Sequence, residues 1–172
     1  MYFQYPLESL ARRRSGGPQK EFARRAKLAL SDTDELFSRP LAGGLALFAA
    51  NEDALEGPAR ILRDIYGDLV ELQPPRVRVI PGEPVQEPVM HVRITARQEH
   101  TGGVLAELRR RGVEITEECL RGRQFIVRAE APLALLLGLP AALDRLTGGS
   151  AAHAIRLVRY EPVSPRFGPE AA

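Results

Sequence analysis

"MHVRITARQEHTGGVLAELRRRG", Met90 to Gly112, reads as a strand followed by a helix, and that order decides the fold. In "MHVRITA" the apolar Val92, Ile94 and Ala96 alternate with His91, Arg93 and Thr95, the period-two pattern of a strand with one buried face. In "GGVLAELRRRG" Val104, Leu105 and Leu108 recur at helical spacing, and Gly112 ends the run. Further on, "VEITEECL" and "RQFIVRAEA" alternate as strands about a tight "RGR" turn at Gly122. "PLALLLG" opens a second helix with Pro132 at its start, and "LPAALDRLTGG" continues it after a break at Pro140. "AHAIRLVRYEPV" closes as a strand with Ile155 and Leu157 inward. The order βαββαβ predicts an α+β, ferredoxin-like sandwich over residues 89–163, with a short tail at 164–172. Its expected core contains Val92, Ile94, Leu105, Leu108, Val127, Leu136, Leu143, Ile155 and Leu157.

Upstream, "PGEPVQEP" has three prolines and a glycine, so residues 81–88 read as a linker that no helix crosses. Before it, Gly44 to Ala50 is a short apolar run and so a buried strand. Asn51 is placed to cap a helix carrying Leu55, Ala59, Leu62 and Tyr66 on one face, with Gly57-Pro58 suggesting a distorted or late start. "DLVELQ" and "RVRVI" follow as strands across Pro74-Pro75. Residues 35–80 therefore read as a smaller βαββ unit, and residues 1–34 as a basic arm or helix.

The formal charge is only +2, but it is unevenly placed. The first thirty residues hold seven basic side chains against Glu8 and Glu21, and both lysines of the chain lie among them. At 44% apolar, 172 residues can bury one good core or two small ones. Aromatics at 6%, with no Trp, argue against a carbohydrate groove. The single cysteine, Cys119, excludes an internal disulfide or a cysteine zinc cluster. No apolar run reaches the ~18–20 residues of a membrane span, and the N-terminus lacks the order of a secretory signal. These features predict a cytoplasmic chain with no membrane partner.

The glycine pair Gly102-Gly103 does not make a nucleotide site. A phosphate loop needs G-x-x-x-x-G-K-[ST], and the chain contains no Gly-Lys pair. Glycines at a strand-to-helix turn need only permit close helix–sheet packing. Cys119 stands beside Glu117 and Glu118, the reverse of the electropositive surroundings of a catalytic thiol. Three scattered histidines have no metal-ligand spacing. The expectation is a non-enzymatic chain without nucleotide, metal or other cofactor. Arg109, Arg110 and Arg111 suit a helix C-terminus, where the macrodipole favours cations, and also suit phosphate contact. Together with Arg12, Arg13 and Arg14 they are the candidate RNA-binding residues. RNA-recognition motifs of this fold stack bases on sheet aromatics. The corresponding positions here are Arg93, Thr95, Ile126 and Arg128, so base stacking on this sheet is not expected, and cross-strand pairs of arginine with Glu114 and Glu118 are. Ile126 and Val158 are the candidate apolar anchors if the open sheet serves a protein partner or a homo-oligomer.

Residues 87–163 resemble the C-terminal domain, domain V, of elongation factor G and related translational GTPases. The resemblance is carried, in order, by "EPVM" at Glu87–Met90, the small-Gly start and "L-x-R-R-G" end of the first helix, and "PLA" at Pro132–Ala134 followed by Gly138. "L-T-x-G" at Leu146–Gly149 and "YEPV" at Tyr160–Val163 complete it. "ARILRDIYGDLVELQPPRVRVI" is more faintly similar to the later half of that family's domain III. No GTPase domain, domain II or domain IV is recognisable. The arginine that follows "TQG" in the family is Ser150 here, and the aromatics of its last strand are His153, Ile155 and Leu157. The resemblance implies a non-catalytic relative of the elongation factor G C-terminal region that binds a ribosome, ribosomal RNA or a related RNA–protein surface. A module for protein interaction or self-association through the open sheet, and an ACT-like small-molecule sensor, which shares the element order, stand as alternatives.

Overall fold

The computed structural model describes residues 2–164, so only Ser164 of the expected tail at 164–172 falls within it. Strand β6 (Gln86–Arg97) leads into helix α3 (Thr101–Arg110), and the hairpin β7 (Glu114–Arg121) and β8 (Gln124–Pro132) turns at Gly122. Two short helices, α4 (Leu133–Leu136) and α5 (Leu139–Thr147), lead into β9 (Ala152–Pro162). The strands pair antiparallel in the order β7-β8-β6-β9, the predicted ferredoxin-like sandwich. Val92, Ile94, Leu108, Val127, Leu136, Leu143 and Ile155 are buried, and Leu105 and Leu157 pack half-buried against them.

The βαββ unit is also present, as β3 (Gly44–Ala49), α2 (Asp53–Tyr66), β4 (Val70–Leu72) and β5 (Arg76–Val77). Three elements precede it: β1 (Leu7–Arg13), α1 (Gln19–Leu28) and β2 (Leu36–Leu41). The reading of residues 1–34 as an arm or helix is corrected by β1, a central strand that pairs β3 on one side and β4 and β5 on the other. Leu7 and Ala11 are fully buried in the core beside Leu45, Leu47 and Leu62. The first sheet runs β2-β3-β1-β4, the same order as the second. Residues 7–72 therefore repeat the βαββαβ plan of the later unit.

Local chemistry explains where these elements begin and end. Asn51 Oδ1 accepts from the Ala54 N–H at 3.0 Å, and α2 starts at Asp53 and runs through Pro58, earlier than a late start at Gly57-Pro58. Pro74 and Pro75 have no N–H to give the ladder and split one edge into β4 and β5. Between them, the Gln73 N–H bonds Leu10 O, and Ser9 Oγ donates to Gln73 O at 2.7 Å. The linker is shorter than 81–88, because Gln86, Glu87 and Pro88 already pair with β9. The other neighbour, β8, first pairs at Val89, so the missing Pro88 N–H faces an unpaired edge. Gly44 has φ +144, and a Cβ there would lie 2.3 Å from Ala11 O, so two backbones meet closely at this turn. Among the described residues, no helix is long and apolar enough to cross a membrane.

Candidate nucleic-acid interface and the seam between units

The three arginines that close α3 do three different things. Arg109 is exposed. Arg110 is exposed but donates to both carboxylate oxygens of Glu107, at 3.1 and 2.7 Å. Arg111 turns inward: its side chain is 13% exposed, its Nε donates to Glu107 at 2.7 Å, and its Nη1 donates to Leu135 O and Leu137 O at 3.2 and 2.7 Å. Arg111 thus ties the end of α3 to the carbonyls that end α4, and its candidacy as an RNA contact is corrected to a structural role. Hydrogen bonds from Arg110, opposed by burial and joined by those from Arg111, lower the Glu107 carboxyl from 4.5 to about 2.

Arg12, Arg13 and Arg14 lie at the end of β1 in the other unit, all exposed. The Gln19 amide bonds Arg13 twice, donating to its O and accepting from its N–H, each at 2.9 Å. That pair fixes the start of α1 against the end of β1. Arg14 N–H bonds Leu69 O at 2.8 Å. The candidate arginines therefore form two groups on separate units.

The apolar anchors also divide. Val158 is exposed, at 47%. Ile126 is buried, at 8%, between its cross-strand neighbours Thr95 and Cys119, and its candidacy as an open-face anchor is corrected. The expected ion pairs shift because a bulge between Ile115 and Glu117 breaks the alternation of β7. Glu117 rather than Glu114 or Glu118 faces Arg128 and pairs with it, while Arg159 pairs with Glu130.

Sequence reading missed the seam where the two units meet. Three consecutive residues at the start of α2 reach across it. Asn51 Nδ2 donates to Ile155 O at 3.5 Å, both Glu52 carboxylate oxygens accept from the Gly138 N–H at 3.1 and 2.9 Å, and Asp53 Oδ2 lies 2.7 Å from His153 Nε2. Gly138 has φ +75 and is the cap of α5, so Glu52 places a carboxylate on a helix N-terminus. Burial raises the Glu52 carboxyl above its ordinary range, against the opposing pull of the Gly138 N–H. Elsewhere along the seam, Tyr160 Oη donates to Phe3 O at 2.8 Å and the two rings meet edge to face. A groove of about 560 Å³ opens beside these contacts, lined by Glu52, Glu56, Arg63, Gln73, Gly138 and Pro140 among others.

The fold and these surfaces define a tandem of two α+β sandwiches that presents exposed cations and joins its halves through a shared apolar cluster and the polar contacts of the seam. Residues 84–169 match the family model described as elongation factor G C-terminus, and the chain belongs to that family. Among curated proteins, the chain is 37% identical over 83 residues to the mitochondrial ribosome-releasing factor 2 of Danio rerio, covering 48% of this chain and 11% of that protein. It is 34% identical over 82 residues to elongation factor G of Granulibacter bethesdensis, covering 48% of this chain and 12% of that one. The chain thus spans about a tenth of the length of these relatives. A crystal structure of a Thermus thermophilus protein matches with a TM-score of 0.67 at 18% identity, over 92% of this chain and 41% of that one. At that identity the likeness is one of fold, and it takes in both units.

Proposed function

We propose that the protein is a non-catalytic binding module that associates with the ribosome or with another RNA–protein surface of translation. The observation that carries this reading is the family match over the whole second unit, β6 to β9. The exposed cations of the first unit support it, since phosphate contacts supply most sequence-independent affinity for nucleic acid. The sequence has no Gly-Lys phosphate loop, so nucleotide hydrolysis of that kind is not part of the proposed role. Filter binding of labelled ribosomal RNA tests the reading. Saturable binding whose log affinity falls linearly with log salt is expected, and no retention even at about 50 mM salt would refute it.

A further inference from the structure

We infer that the corner formed by the end of β1 and helix α1 binds the phosphate backbone of double-helical RNA. This rests on the RNA-association reading and names the surface and ligand class for it. In the first unit Arg25 is held by Glu21 and Lys27 by Asp32. Arg13, Arg14, Lys20 and Arg24 are exposed and, among the described residues, have no ion-pair partner. They flank the corner between the end of β1 and helix α1. Arg13 points to the helix side of its sheet, where it lines a small hollow with Pro18, Glu21, Phe22 and Tyr66. Arg14 comes next, in the turn that leaves β1, and Lys20 and Arg24 stand one turn apart on the solvent side of α1, whose core side is Phe22, Ala23 and Ala26. Arg12 belongs elsewhere: it alternates to the opposite sheet face and lies across from Glu71.

The corner is rigid as well as charged. The double hydrogen bond between Gln19 and the Arg13 backbone fixes strand end against helix start, so the main chain that carries the cations needs little ordering on binding. On α3, by contrast, Glu107 holds Arg110 and Arg111, leaving Arg109 alone. The missing aromatics select the ligand. Phe22 is buried, and half-buried Tyr66 is engaged edge to face with it, so neither ring offers a free face beside the cations for a single-stranded base to stack on. A cluster of cations carried on a fixed main chain instead suits the ordered phosphates of a duplex, which proteins recognise by shape and backbone.

The test is fluorescence anisotropy with a labelled RNA duplex of about 20 base pairs, titrated from about 50 to 200 mM salt. Lys20→Gln with Arg24→Gln is expected to weaken binding at least roughly fivefold at the low end and to flatten the salt slope by roughly 1.4–1.8. Arg13→Gln with Arg14→Gln should do the same, and exposed Arg60→Gln should leave the curve unchanged. Unaltered melting curves separate lost contacts from lost folding. An unchanged slope in both double variants, or a loss produced by Arg109→Gln alone, overturns the inference while leaving RNA association standing. So does tighter binding to vesicles of anionic phospholipid than to the duplex through the same residues, a live contrast because Leu28 is 88% exposed one turn beyond Arg24. Ribosomal RNA retained on a filter by a protein that ignores the duplex overturns it as well. Failure with both RNAs overturns the functional proposal itself.

Discussion

Glu52 places both carboxylate oxygens on the backbone N–H of Gly138, 86 residues further along the chain, and so joins the start of α2 in one unit to the start of α5 in the other. Asn51 and Asp53 make their own crossings from either side of it. A three-residue segment thus adds polar ties between the sandwiches, whose buried apolar residues also run together in one cluster.

Glu52→Ala leaves the half-buried Gly138 N–H without its acceptor and is expected to cost about 1–3 kcal/mol in denaturant unfolding. Glu52→Gln keeps a carbonyl for that N–H and removes the charge. Because burial raises the Glu52 carboxyl in the folded state, its contribution is present below the ordinary value of 4.5 and is lost as pH rises through the raised value. Melting temperature should therefore fall less over that interval in Glu52→Gln than in the parent protein. Parallel curves would contradict the assignment.

Glu107 has the opposite sign. Its carboxyl, lowered to about 2 by Arg110 and Arg111, stabilises the fold above 4.5, and that contribution is lost as pH falls from 4.5 toward 2. Glu107→Gln is expected to flatten the acid limb of the stability curve in that window. An acid limb as steep as the parent's would show that the pairs to Arg110 and Arg111 carry no net stability.

Neighbouring arginines should separate cleanly. Arg111→Gln removes charge-assisted bonds to Leu135 O and Leu137 O and is expected to cost about 1.5–3 kcal/mol. Arg109→Gln, on the exposed side of the same helix, should stay within about 0.5 kcal/mol. Equal losses in chemical denaturation would refute the division of roles.

Two adjacent glycines offer a similar contrast. A methyl group on Gly44 would meet Ala11 O at 2.3 Å with φ at +144, so Gly44→Ala is expected to cost at least about 2 kcal/mol. Gly43 has open space around its missing Cβ, and Gly43→Ala should be near neutral. Comparable denaturation midpoints for the two variants would place the β2–β3 turn elsewhere.

What the sequence revealed follows from where its patterns are clean. In β6 and α3 the apolar residues keep strict strand and helix periods, so the second sandwich was legible to its core residues. In β1 the buried face is Leu7, Ser9 and Ala11 while Leu10 lies on the other, so a small polar residue inside and a leucine outside disguise the alternation. In β2 the same is true of buried Ser38, and Pro40 argues against a strand. The repeat of the fold in the first unit was hidden for that reason. The seam was illegible because "NED" reads as an ordinary helix start, and its partners Gly138 and His153 lie 86 and 100 residues away. The arginine run hid a geometric difference: successive residues turn about 100° on a helix, enough to bury Arg111 while Arg109 faces water.

The most direct test of the functional account is co-sedimentation of the purified protein with ribosomes across graded salt. The account predicts saturable sedimentation at low ionic strength that weakens steeply and log-linearly as salt rises, because cations on phosphate release counterions. A protein that stays in the supernatant at low salt, or that pellets equally at every salt concentration, would contradict it.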